Sequence, residues 1–129
     1  MMGKNTYKEI LGFGVEWPYT GMNSYVVSTD KNFNPTTPDT FIVSTNLTEF
    51  VNDLKNKNEK DIWLIGGGQL IASFLYNDLL DRMILTLIPT TIGEGIPLFP
   101  EIAKETTWTL TNSEVFETGV VNLTYDRKR

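Results

Sequence analysis

Three consecutive glycines, Gly66-Gly67-Gly68, interrupt an apolar run made of Ile62-Trp63-Leu64-Ile65 on one side and, after Gln69, Leu70-Ile71 on the other. The chemistry open to such a turn is anion binding by the main chain. Glycine adopts backbone angles closed to other residues and lets a ligand approach with no Cβ in the way. With a buried strand before the turn and a helix after it, the free N–H groups of the first helical turn face the turn. The helix dipole then adds about 0.3–1 kcal/mol for an anion near a surface. A dinucleotide pyrophosphate suits this arrangement; so does a tight strand-to-helix turn with no ligand, and the run alone leaves both open. The spacing is not the Rossmann fingerprint: Gly66 and Gly68 fit its first two glycines, but Ile71 stands at the third, and Thr86 and its neighbours read as strand where an acid belongs.

Other reactive groups are few. The chain has no cysteine and no histidine, which removes thiol chemistry, Ser-His-Asp and Cys-His mechanisms and most zinc sites; no metal site is expected. Glu94, in Gly93-Glu94-Gly95, reads as an exposed turn, with an acid role only if desolvated. Asp61 and Asp78 read as surface groups at helix ends or strand starts.

The elements that must position the glycine turn follow from periodicity. Thr6 to Leu11 reads as a helix stopped at Gly12 and Gly14, and Ser24–Ser28 and Thr40–Ser44 as strands. Asn46 or Thr48 caps a helix whose apolar face is Leu47, Phe50, Val51 and Leu54, before a polar stretch from Lys55 to Lys60. Ile62–Ile65 is a strand, and Leu70, Ile71, Phe74 and Leu75 are the buried stripe of the next helix. Arg82–Ile88 is a strand ended by Pro89, and residues 91–100 form a Gly- and Pro-rich loop. Trp108–Glu117 and Val120–Tyr125 flank Thr118-Gly119 as an antiparallel hairpin. Strands alternating with helices and then a hairpin predict an α/β fold with a mixed sheet covered on both faces.

A chain of 129 residues with 40% hydrophobic content predicts one domain over residues 1–129. The net charge of −5 argues against nucleic acid, and Arg127-Lys128-Arg129 reads as a solubilising tail. No segment approaches the roughly 18 apolar residues of a membrane span, and the lack of cysteine suits a cytosolic setting. The expectation is a soluble, cytoplasmic protein with a small-molecule partner and neither nucleic acid nor membrane.

Met2-Gly3-Lys4-Asn5-Thr6-Tyr7-Lys8-Glu9-Ile10 resembles the M-G-R-x-T-[YW]-x-x-I segment of the dihydrofolate reductase superfamily, and Ile65-Gly66-Gly67-Gly68-Gln69-Leu70 resembles its I-G-G-G-x-x motif. Leu85-Thr86-Leu87-Ile88-Pro89, Gly93-Glu94-Gly95-Ile96-Pro97-Leu98-Phe99 and Gly119-Val120-Val121-Asn122-Leu123-Thr124-Tyr125 are most similar to the branch holding the riboflavin-biosynthesis reductase domain. The ordered set covers essentially the whole chain. It implies a dihydrofolate reductase-like three-layer α/β/α fold with a C-terminal antiparallel hairpin. It further implies an NADPH-dependent oxidoreductase passing hydride to a pterin-like or ribosylaminopyrimidine-like substrate. By position, Gly3, Lys4, Asn5 and Thr6 would grip cofactor phosphates, Ser28 and Thr29 would meet the adenosine end, and Ile65, Gly66, Gly67, Gly68, Gln69, Leu70 and Ile71 would cradle the pyrophosphate and border the nicotinamide. A cis peptide often joins two of these glycines in the family. Lys4 stands where the family has Arg, which keeps a positive charge but gives up the bidentate fork and leaves NADPH against NADH open. Trp17 reads either as a neighbour of the bound molecules or as local packing.

The resemblance also implies a first central strand, a catalytic loop and a helix ahead of the Met2 segment, where family members carry an acid that serves the substrate. This chain starts at that segment. Its catalytic residue is therefore unassigned. Unpaired ladder groups on the strands flanking the missing one would cost roughly 1–3 kcal/mol each if buried. The expectation is that another chain supplies the strand, making a homo-oligomer, that the sheet closes on itself, or that the chain is a fragment of a longer reductase. The alternative to an enzyme is a noncatalytic nucleotide-binding or scaffold relative.

Overall fold

The computed structural model describes residues 1–57, 60–101 and 104–129. In chain order they form β1 (Met2–Gly3), α1 (Lys4–Leu11), β2 (Ser24–Val27), β3 (Thr40–Val43), α2 (Leu47–Lys57), α3 (Gly68–Tyr76), β4 (Arg82–Leu87), β5 (Trp108–Val115) and β6 (Val121–Arg127). The class is the expected mixed α/β, with strands in two three-stranded sheets, a parallel one in the order β1-β2-β3 and an antiparallel one in the order β4-β6-β5. The chain divides into two compact units, Met1–Ser73 and Phe74–Arg129.

In the first unit the alternation of β2 sorts its two faces. Val26 is fully buried with Met2, Tyr7, Ile10 and Phe33, so α1 packs on that side through Tyr7 and Ile10. Tyr25 points the other way, against Phe41 of β3 and Phe50 of α2, ring centroids 5.7 and 5.2 Å away. Successive strand side chains face opposite sides, so α1 and α2 cover opposite faces of the sheet. Tyr7 also closes its polar end: its hydroxyl is within 3.0 Å of Thr37 Oγ1 and accepts the N–H of Thr36 at 3.0 Å. Trp17 meets Tyr7 and Tyr19 edge to face at 5.4 and 5.1 Å, which makes it local packing on this core. Asn58 and Glu59, in the polar stretch after α2, lie outside the described residues.

The expected strand at Ile62–Ile65 is not a strand of the ladder. Its backbone pairs in parallel with the chain start, Met1 N to Trp63 O at 2.6 Å and Ile65 N to Met1 O at 2.9 Å, and a single bridge joins Met2 to Gly66. Pairing stops there because β1 is only two residues long before α1 begins. β1 itself escaped the sequence reading for the same reason.

In the second unit, Phe116 and Val120 close the hairpin, the N–H of Phe116 reaching the carbonyl of Val120 at 2.9 Å around Gly119, whose φ of 86° suits glycine. Arg82 and Asp126 face each other across β4 and β6 and form a two-point ion pair at 2.6 and 3.1 Å. An irregularity between Leu110 and Asn112 bends β5, with Thr111 Oγ1 donating to Thr124 O at 3.2 Å. The expected cover on both sheet faces is not found within this unit: Ile84, Leu87, Leu110 and Val115 are exposed. Among the described residues of the unit, the only helical ones are the last of α3, too few to cover a sheet.

Arg127-Lys128-Arg129 is not a free tail either. Arg127 Nε donates to Asp78 Oδ1 at 2.6 Å, and Arg129 pairs with Asp78 at 3.5 Å and Asp81 at 3.0 Å. Two aspartates on the turn after α3 give these cations a fixed partner that one-dimensional charge counting cannot see.

Candidate functional site

The parallel pairing of the first unit aligns its strand ends. Gly3 pairs in register with Val27, and Met2 bridges Gly66, so the carboxyl ends of β1, β2 and the 62–66 segment lie along one edge. In open α/β sheets that edge is where ligands collect. Two of these ends run into helices with almost no loop. β1 gives way to α1 at Gly3, and the 62–66 segment gives way to α3 at Gly68.

Both helix starts are open. Gly3, the N-cap of α1, offers no side-chain hydrogen bond, and neither α1 nor α3 has an acid in its first turn. The start of α2 is closed by its own side chains: Asn46 Oδ1 accepts the N–H of Glu49 at 3.2 Å, and Asn46 Nδ2 donates to Glu49 Oε2 at 3.0 Å. A helix start leaves four N–H groups without intrahelical partners. At α2 one is answered within the chain, while at α1 and α3 glycines leave the approach clear.

The two open starts adjoin. Gly3 N donates to Gly66 O at 2.8 Å, and a Cβ on Gly3 would lie 3.8 Å from Gly67 N. A Cβ on Gly67 would meet Thr6 Oγ1 at 3.4 Å. Gly66 has φ of 131°, which excludes a side chain there, and its peptide bond to Gly67 is cis. Gly67, Gly68 and Gln69 are exposed, and Ile71 N–H closes the first turn of α3 on Gly67 O at 3.0 Å. The result is a shallow cradle of main-chain donors with no side chain across it. It fits a pyrophosphate: two positive helix ends, several free N–H groups and no carboxylate in either first turn.

Of the residues expected at the site, Gly3, Thr6, Gly66 and Gly67 are thus in mutual contact. Gly68, Gln69 and Ile71 continue the cradle along α3. Ile65 packs against the core, and Leu70 is buried, so these two offer main chain only. Asn5 is exposed in the first turn of α1. Ser28 and Thr29 follow β2 at the same edge, Ser28 buried and Thr29 exposed. Lys4 reaches across to that loop and pairs with Asp30, Nζ to Oδ2, at 3.0 Å.

Asp30 is the polar residue that the sequence reading missed. Its Oδ1 accepts the N–H of Asn32 at 3.0 Å, and its own N–H goes to Ser28 Oγ at 3.1 Å. The N–H of Asn32, followed by Lys4, holds its carboxyl below the usual carboxylate range. The signal was the run Ser28-Thr29-Asp30-Lys31-Asn32 just past a strand, a turn type in which Asp caps its own loop.

Glu94 is exposed on a tight turn, its N–H on Ile92 O at 2.9 Å, between Gly93 at φ 76° and Gly95. Asp78 serves Arg127 and Arg129, and the guanidinium of Arg127 holds it below the usual carboxylate range. Among the described residues no cluster of three His, Cys, Asp or Glu offers a metal site, and no helix is long and apolar enough to cross a membrane.

Comparison with known proteins finds similarity over most of the chain. The model of the RibD C-terminal domain matches residues 16–122. The Bacillus subtilis (strain 168) protein YwjB is 31% identical over 120 residues, 93% of this chain and 68% of its own length. YyaP of the same organism is 39% identical over 83 residues, 64% of this chain; the match spans 44% of YyaP. The crystal structure of a protein ascribed to riboflavin biosynthesis in Shewanella sp. PV-4 superposes with a TM-score of 0.87 at 33% identity, covering 99% of this chain and 72% of that one.

Proposed function

Because the chain belongs to the RibD C-terminal domain family, we propose that it is a reductase of the riboflavin-biosynthesis type. In this reading it uses a reduced nicotinamide dinucleotide, NADPH by the family resemblance, and its substrate is a pterin-like or ribosylaminopyrimidine-like compound. The observation that carries the reading is the pair of adjoining open helix starts, Gly3 of α1 and Gly66-Gly67-Gly68 before α3, joined by the 2.8 Å bond from Gly3 N to Gly66 O. Bound there, the dinucleotide supplies the hydride. The chain's own residues hold the pyrophosphate by main-chain N–H groups, set Thr6 against the glycine turn and keep carboxylates out of both first turns.

A second reading has one observation in its favour. Reduction of a C=N or C=O needs a proton beside the hydride, and Glu94, on the turn between Gly93 and Gly95, is exposed. A noncatalytic nucleotide-binding relative would keep the cradle without a donor. The two readings separate in one titration. The reductase reading expects saturable dinucleotide binding and substrate-dependent loss of the reduced nicotinamide absorbance; binding without turnover across pterin and pyrimidine substrates favours the second. Gly67→Val places a branched side chain against Thr6 and over the cradle, so binding should weaken at least about tenfold, equivalent to about 1.4 kcal/mol, with the unfolding transition retained. Unchanged binding in that variant contradicts both readings.

A further inference from the structure

The pyrophosphate cradle lies between the 62–66 segment and β1, and the next strand along the sheet is β2. An adenosine ribose lying on that side, where the family resemblance puts Ser28 and Thr29, would meet the loop that follows β2, which the first turn of α1 reaches through the 3.0 Å contact between Lys4 and Asp30. That contact would set the chemical character of an adenosine end bound there. Lys4 is the cation that a 2′-phosphate would seek, and it is already matched by a carboxylate. Asp30 is fixed from both oxygens, by Lys4 and by the N–H of Asn32, and its backbone N–H occupies Ser28 Oγ as an acceptor. A 2′-phosphate, carrying between one and two negative charges at neutral pH, would have to displace Asp30 from Lys4 and then lie beside it. A free 2′,3′-diol donates hydrogen bonds to a carboxylate and leaves the ion pair intact, the pairing by which an acidic residue selects an unphosphorylated ribose.

We propose that Asp30 is a specificity-determining residue that turns the adenosine end of this site toward a free ribose diol, so that NADH binds at least as tightly as NADPH. The inference rests on the dinucleotide reading given above. It departs from the NADPH preference implied by the family resemblance because of one residue, not the whole site. Lys31 on the same loop and Lys8 one turn along α1 do not change the sign: no ion pair joins either to Asp30, and Lys8 acts on Asp30 only weakly through space.

The test is a set of dissociation constants for NADH and NADPH at neutral pH, read by quenching of tryptophan emission and by calorimetry, for the unaltered chain, Asp30→Asn and Lys4→Gln. AMP and 2′,5′-ADP serve as a matched pair differing only in the 2′-phosphate. The unaltered chain should bind NADH at least as tightly as NADPH, and AMP at least as tightly as 2′,5′-ADP. Asp30→Asn keeps the acceptor for Asn32 and frees Lys4, and should shift the ratio toward NADPH by at least about fivefold, as expected for removing one like charge at close range in a solvated site. Lys4→Gln should shift it the other way. Tighter NADPH binding by the unaltered chain, or a smaller shift in Asp30→Asn, overturns the inference while leaving the dinucleotide reading standing. Failure of every one of these ligands to bind overturns both. Should Asp30→Asn not fold, the matched pair on the unaltered chain decides the question.

Discussion

Asp78, half-buried, and Asp30, exposed, are paired with a cation at 2.6 and 3.0 Å respectively, yet they do different work. Asp78 ties α3's following turn to Arg127, whose side chain is only 11% exposed, and through it to the end of β6. Arg127 also lies over the Trp108 ring, 5.6 Å from its centroid. Because the folded carboxyl is shifted down from its unfolded value, the folded state binds its proton less well than the unfolded chain. Its contribution to stability is therefore fully present above the ordinary aspartate range, near pH 4, and is lost as pH falls through the lower folded value. Denaturant melts should show Asp78→Asn losing stability at pH 7 and converging on the unaltered chain at acid pH, as the paired carboxylate takes up its proton. An equal loss at both pH values would refute this account of the pair. Asp30 instead joins the loop after β2 to Lys4 in the first turn of α1, where the proposal has it meet a ribose.

At the level of elements, the sequence carried most of the fold and one half of the candidate site. β2, β3, α2, the hairpin of β5 and β6 and the helix after the glycines were readable because each couples an apolar period to a stop signal within a few residues. The exceptions have physical causes. β1 is two residues long, too short for any period, and its parallel neighbour at 62–66 forms a single bridge instead of a ladder for that reason. The glycine cradle was legible from Gly66-Gly67-Gly68 because it is written in consecutive residues. Asp30 was not, since its meaning depends on Lys4, 26 positions away in the chain and 3.0 Å away in space. The fixed state of Arg127 and Arg129 was hidden in the same way, being a long-range pairing with Asp78 and Asp81.

For the whole molecule, the expectation of a homo-oligomer is carried forward as a proposal. The motive is the second unit: Ile84, Leu87 and Ile88 along and after β4, Leu110 and Val115 on β5, and Phe116 beyond it are all exposed. Apolar exposure at this many positions of one small unit marks surfaces that associate. Sedimentation velocity on the unaltered chain should give a species of at least twice the chain's mass, and Ile84→Lys should shift it toward the monomer. A monomer across the accessible concentration range would dismiss the proposal without touching the cradle.

The central claim is that adjoining helix starts in the first unit hold a dinucleotide pyrophosphate by main-chain N–H groups. The most direct measurement is a titration of the isotopically labelled chain with reduced dinucleotide, followed amide by amide in a two-dimensional nitrogen–proton correlation spectrum. The account predicts saturable shifts concentrated at Gly3–Thr6, Ser28–Asp30 and Gly66–Ile71, with much smaller changes on β5 and β6. Saturable binding whose shifts fall elsewhere, or the absence of any saturable shift at Gly67 and Gly68, would contradict it.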